Sequence, residues 1–277
     1  MKTCLAQTLF AAMAAMSFDA TAGVIFGSSL GDRAAVARFD IVGEGLEVVL
    51  SNTSLADTLV PSDVLTGVFF NITGNPALTR MSAMSGGPTY RGTTLISGAQ
   101  TAVGSEWAYR NGLTQYAANS GISSSGLGLF GPTDLFPGAN LSGPASPAGT
   151  EYGLASAADI MSTGNRGVTG NELTKNSVAF RLGGLPTHFS LSNIGDVTFQ
   201  YGTSLAEPHM AWNSMSLVNA AGVLRPAVNA VAEPASLGLA GVGLVALVAG
   251  RRRRRVGTDA GQRWRATASP SSITASA

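Results

Sequence analysis

Hydrophobic and polar positions trade places along this chain in short runs rather than in long helical stripes. Ala37, Phe39 and Ile41 alternate with Arg38 and Asp40. Gly43, Glu44 and Gly45 interrupt, and the alternation resumes over 46–50, a period of two that predicts a β-hairpin. Positions 63–73 and 77–83 predict the next two strands, split by Gly74, Asn75 and Pro76. Further on, 177–182 and 196–202 are rich in β-branched and aromatic residues, the side chains that suit a pleated, half-buried surface. Between these blocks, 121–147 is dense in Gly, Ser and Pro, which argues for long loops or short strands and against a helical domain. Many short strands with such punctuation predict an all-β fold, a β-sandwich of jelly-roll or immunoglobulin-like type over 23–209. A last strand at 212–218 and a linker then occupy 210–231, with His209 at the start of the linker.

Two segments break the pattern. Residues 235–250 carry no charge and one hydroxyl, Ser236, so their backbone satisfies itself in lipid only as a helix. At ~1.5 Å per residue this is a minimal transmembrane helix, about 24 Å against a hydrocarbon core of ~30 Å. Arg251, Arg252, Arg253, Arg254 and Arg255 follow at once and hold that end in the cytoplasm, leaving the chain before Glu233 outside. At the other end Lys2 precedes an apolar run over 5–16, and Ala20 and Ala22 form a small-residue cleavage site before Gly23. Residues 1–22 therefore read as a secretory signal peptide. Residues 256–277, rich in Ser, Thr and Ala, read as a disordered polar tail.

Trimming these segments changes the composition. Cys4 is the single cysteine, so the mature chain has none, which removes disulfide scaffolds, thiol nucleophiles and thiolate metal sites from consideration. The whole chain carries a formal +1. Over 23–230, nine Lys and Arg stand against thirteen Asp and Glu, a net −4 with no basic stripe, which argues against nucleic acid as a partner.

Ala232, Glu233 and Pro234, the apolar helix and the arginine cluster together resemble the PEP-CTERM sorting signal of Gram-negative bacteria that make exopolysaccharide. That resemblance implies Sec-type export and a precursor held in the inner membrane by one C-terminal helix. It also implies cleavage near the motif by an exosortase, a membrane transpeptidase, and delivery to the cell surface or extracellular matrix. The chain departs from the pattern in two ways: Ala232 stands where the first proline is usual, and 256–277 continue past the arginines. Blocks at 63–70, 106–110, 126–132, 135–141 and 196–208 are similar to a family of exosortase-dependent surface proteins. The family has no established activity, so the resemblance implies a structural or adhesive role in the envelope and adds no mechanism.

Candidate chemistry is sparse, with no catalytic, cofactor or metal constellation. The run from Gly126 to Gly131 fits G-x-G-x-x-G, but Pro132 and Asp134 follow where a helix should open, so a turn is expected. His188 and His209 are the two imidazoles, and no Gly-x-Ser-x-Gly elbow accompanies them, so a secreted hydrolase ranks third among the functional readings. Carbohydrate binding, to matrix exopolysaccharide, ranks second. Trp107, Tyr109, Phe130, Phe136, Tyr152 and Tyr201 would be its stacking platform, although aromatics at alternating positions favour a core. Asn52, Asn71 and Asn140 begin glycosylation-type sequons and are expected to be polar turn and strand residues.

Overall fold

The computed structural model describes residues 23–218 and 224–226. The signal-peptide residues 1–22, the sorting signal 232–255 with its apolar helix, and the polar tail 256–277 lie outside these described residues. The strands are β1 (Gly23–Leu30), β2 (Arg33–Val42), β3 (Gly45–Asn52), β4 (Leu65–Ile72), β5 (Thr79–Ser85), β6 (Thr89–Arg91), β7 (Thr94–Ser97) and β8 (Ala108–Asn111). They continue with β9 (Ser120–Ser123), β10 (Leu154–Ala155), β11 (Glu172–Lys175), β12 (Ser177–Gly183), β13 (Ile194–Tyr201), β14 (His209–Ala211), β15 (Ser214–Val218) and β16 (Leu224–Pro226). Among the described residues one short α-helix, α1 (Arg166–Thr169), and five single 3₁₀ turns interrupt them. The described chain is all-β.

The strands form two sheets. One runs β16-β15-β1-β2-β3-β12-β5, antiparallel throughout. The other runs β14-β13-β4-β10-β11-β6-β7, with β9 also paired to β4 and β8 outside β9. Its one parallel pair is β10 with β11. Neither path closes into a barrel.

The predicted period of two places the core. Along β3, Leu46, Val48 and Leu50 are buried while Glu47 and Val49 are not, and β12 buries Val178, Phe180 and Leu182 the same way. Val68, Phe70 and Ile72 of β4 and Val197, Phe199 and Tyr201 of β13 join them in one hydrophobic cluster. The rings of Phe39 and Phe70 meet edge-on at 5.2 Å, so the two sheets share this core. Each such buried side chain stabilises by ~1.5–3 kcal/mol, against which the polar face adds little. On that face Arg181 pairs with Glu47 at 3.1 Å across strands, both side chains partly exposed.

The run Val68, Phe69, Phe70 does not alternate, because β4 is covered on both sides. Phe69 points the other way, into a second cluster with Ala108, Leu113, Ala118, Leu127 and Phe130 beneath the Gly- and Ser-rich loops. A third cluster joins Val64, Ala155, Val168 and Leu173. Sequence patterning anticipates β2 to β5, β12 and β13. It does not mark β1, or the short strands β6 to β8, β10 and β11.

His209 requires a correction. It opens strand β14 and pairs with Gln200, where a linker is expected. Strand β15 begins at Ser214, within the last strand expected at 212–218, and pairs with β1; β16 follows it, so a further strand of the first sheet lies where a linker is expected.

Candidate functional site: a cleft at one end of the sheets

The β1–β2 turn, the segment 53–64 and the segment 157–165 gather at one end of the sheets. Gly31, at φ +59°, makes the tight reversal that brings Leu30 opposite Arg33. Arg33, the first residue of β2, donates from Nε to the Ser62 carbonyl at 3.0 Å and from Nη2 to Asp63 Oδ1 at 2.7 Å. The other Asp63 oxygen accepts the backbone N–H groups of Leu59 and Val60, both at 3.2 Å. One carboxylate thus ties the loop to itself and to β2.

Two more aspartates tie the loops together. Asp159, buried, accepts the Thr58 N–H at 2.5 Å, and Asp57 Oδ1 accepts the Ile160 N–H at 3.0 Å. Burial raises the Asp159 carboxyl above its ordinary range. The Thr58 N–H opposes this, Asp57 adds to it and Lys175 offsets it weakly. Asn52, at the end of β3, donates from its side chain to the Leu154 carbonyl at 2.9 Å and accepts the Ser54 N–H at 3.1 Å. Its sequon asparagine is therefore 1% exposed and engaged.

These loops enclose a cleft of about 180 Å³ whose polar wall is Asp32, Arg33, Ser54, Asp57, Thr58 and Asp63. Tyr201, the last residue of β13, packs against Arg33 and is not among the residues that line the cleft. Its ring centre is 5.9 Å from the Arg33 guanidinium carbon. Its hydroxyl is fully buried, with Ser54, Arg33 and Asp63 as its polar surroundings. Burial pushes its phenol well above the usual range, and Ser54 and Arg33 offset this only in part.

A second polar group, Glu106, Glu151 and Glu172, surrounds Tyr152. Glu106 accepts the N–H groups of Leu141 at 2.7 Å and Ser142 at 3.2 Å, and the Ser105 hydroxyl at 3.1 Å. Glu172 is paired with Arg91. Burial raises the Glu151 carboxyl, with repulsion from Glu172 and Glu106 adding to it, and burial together with the same two carboxylates pushes Tyr152 to about 12. Glu106 and Glu172 are occupied in holding a loop and an arginine, so this group acts as a clamp.

The sequence-predicted candidates are scattered. His188, at φ +65°, is exposed in a groove of about 500 Å³ near the β2–β3 turn, with Glu44, Leu185 and Phe189. His209 stacks on Tyr116, ring centres 4.5 Å apart. Among the described residues neither imidazole is hydrogen-bonded to a carboxylate. The six aromatics proposed as a sugar platform are all buried: Trp107 packs on Phe180 at 5.0 Å, Phe136 on Phe180 at 5.4 Å, and Phe130 on Phe69 at 6.0 Å. They are core residues, as their alternation favours, and form no platform. Gly126 to Gly131 is a turn, with Leu127 and Gly128 at positive φ and a single 3₁₀ turn after it. Gly23 opens β1, while Ala20, Ala22, Ala232, Glu233, Pro234 and Arg251 to Arg255 lie outside the described residues.

Sequence reasoning missed the cleft. Its one cue is the density of Asn, Thr, Ser and Asp between β3 and β4, which reads only as loop. Among the described residues no three His, Cys, Asp or Glu side chains are arranged to hold a metal ion. The chain matches no protein-family model, no curated protein and no solved structure.

Proposed function

We propose that the chain is an exported cell-surface or extracellular-matrix protein with a structural or adhesive role, processed through its C-terminal sorting signal by an exosortase. The sequence of the tail carries this reading: Ala232, Glu233 and Pro234, then 235–250 without charge, then Arg251 to Arg255. Sec-type export delivers the domain, the apolar segment halts in the inner membrane, and cleavage near Glu233 and Pro234 frees the domain for the surface or matrix. The exported region is a β-sandwich of jelly-roll or immunoglobulin-like type. Two mostly antiparallel sheets with one common core support that description.

Mass spectrometry of the mature protein from membrane and medium fractions tests the proposal. The expected termini are Gly23 and a residue close to Pro234. Persistence of the arginine cluster in the surface form would overturn processing and leave an ordinary single-span protein.

Carbohydrate binding is the second reading. With the aromatic platform buried, that reading rests on the polar wall between Asp32 and Asp63. Retention of the protein on matrix polysaccharide tests it, and absence of retention on any matrix polymer removes it.

A further inference from the structure

The start of the first strand is built around one carboxylate. Val24 stands opposite Phe39 in the β1–β2 register, which sets Gly23 beside Asp40. A Cβ on Gly23 would collide with Asp40 Oδ1, so the carboxylate fills the place of the side chain that Gly23 lacks. Because Cβ and the backbone nitrogen of one residue lie ~2.5 Å apart, the Gly23 nitrogen is within about 5 Å of that oxygen. Asp40 is buried, its side chain 10% exposed, and its other oxygen, Oδ2, accepts from Arg38 Nε. Among the described residues Oδ1 accepts no hydrogen bond.

The surrounding charges are already matched. Glu47 of β3 stands opposite Asp40 and is paired with Arg181 of β12, as Asp40 is with Arg38. Neither β1 nor β15, which pairs with its outer edge, carries a charged side chain. Within an uncut chain the Gly23 nitrogen is a neutral amide with one N–H to give. Hydrolysis of the Ala22–Gly23 bond changes that: the C–N bond breaks, water's oxygen joins the Ala22 carbonyl carbon to make a carboxylate, and both of water's protons end on the Gly23 nitrogen as an α-ammonium.

We infer that removal of the signal peptide creates an ion pair between the Gly23 α-ammonium and Asp40, so that processing itself fastens the start of β1 to β2. The inference rests on the export reading above, which sets the cut before Gly23, and adds to it a step that stabilises the fold. An opposite charge ~4–6 Å away holds an ionisable group in its charged form, and a partner shielded from water does so more firmly. The precursor lacks this contact.

Acetylation with acetic anhydride, read by peptide mass spectrometry between about pH 6 and pH 10, tests the pair on the exported chain purified in detergent. Lys175, the one lysine after residue 22, is the internal control. The midpoint of the Gly23 rate profile is expected to lie above that of a free peptide of residues 23–28, so that near neutral pH the folded chain reacts about three- to tenfold more slowly. Steric cover would lower the plateau without moving the midpoint. Asp40→Asn is expected to bring the midpoint back to the peptide's, and to melt about 2–4 °C below wild type at neutral pH. That gap should narrow as pH rises past the ordinary α-amino value of ~7.7–8.0 and the ammonium loses its proton. A wild-type midpoint equal to the peptide's, or a raised one that Asp40→Asn leaves in place, would overturn the ion pair and leave the export reading standing. An exported chain that begins elsewhere than Gly23 would overturn the signal-peptide assignment and this inference together.

Discussion

The Arg33 guanidinium lies 5.9 Å from the centre of the Tyr201 ring, within cation–π reach, while its fork holds Ser62 and Asp63. A lysine keeps the charge but not the planar fork, so it cannot hold both partners and face the ring. Arg33→Lys is expected to cost about 1–2 kcal/mol in urea unfolding and to speed amide exchange at Leu59 and Val60, whose N–H groups depend on Asp63. Equal protection in the two proteins would mean that Asp63 needs only a nearby positive charge.

The shared core predicts a steep contrast between two apolar residues. Phe180 is fully buried between Trp107 and Phe136, and Phe180→Ala is expected to lose about 3–5 kcal/mol of unfolding free energy. Leu95 on β7 is 57% exposed, and Leu95→Ala is expected to change stability by less than about 0.5 kcal/mol. Denaturant midpoints measured side by side check both.

Two carboxyls raised by burial predict a local pH dependence. Asp159 and Glu151 have carboxyls raised by burial, so the native state holds protons that the unfolded chain has released. Stability contributed by these two groups is therefore greatest when they are protonated and falls as pH rises from the ordinary carboxylate range through their raised values. Glu151→Gln is expected to raise the melting temperature at neutral pH and to lose that advantage below the ordinary carboxylate range. An advantage that persists unchanged in acid would sink this account.

At the alkaline end the sign is the same. Tyr152, pushed to about 12 by burial and by Glu106 and Glu172, favours folding while neutral. Its contribution is lost as pH climbs from about 10, where the unfolded phenol ionises, through that value. Ultraviolet titration should show late-ionising phenols, and Tyr152→Phe should remove one phenol's worth of that late amplitude while the phenol of Tyr201, also raised by burial, remains. Glu106→Gln should move the Tyr152 phenol downward, while loosening the 139–142 loop whose N–H groups Glu106 accepts.

The long strands were legible because period two repeats along them: Leu46, Val48 and Leu50 face one way and Glu47 the other. A strand such as β10, two residues long, has no period to read. Sheet order was hidden for a different reason, since β12 enters between β3 and β5 by backbone pairing at large chain separation. The cleft combines both difficulties. Arg33 and Asp63 stand thirty positions apart, and Tyr201 arrives from the end of β13, so no local motif unites them. Their juxtaposition exists only once both sheets have formed.

Gly23 and Val218 are paired neighbours, the first strand of the domain closed by one of its last. A chain that crosses a membrane N-terminus first would expose β1 long before β15 emerges, and only β2 would be at hand to hold it. On that route the first sheet would be completed only near the end of translocation, because pairing across so long a stretch of chain is slow and needs both of its ends present.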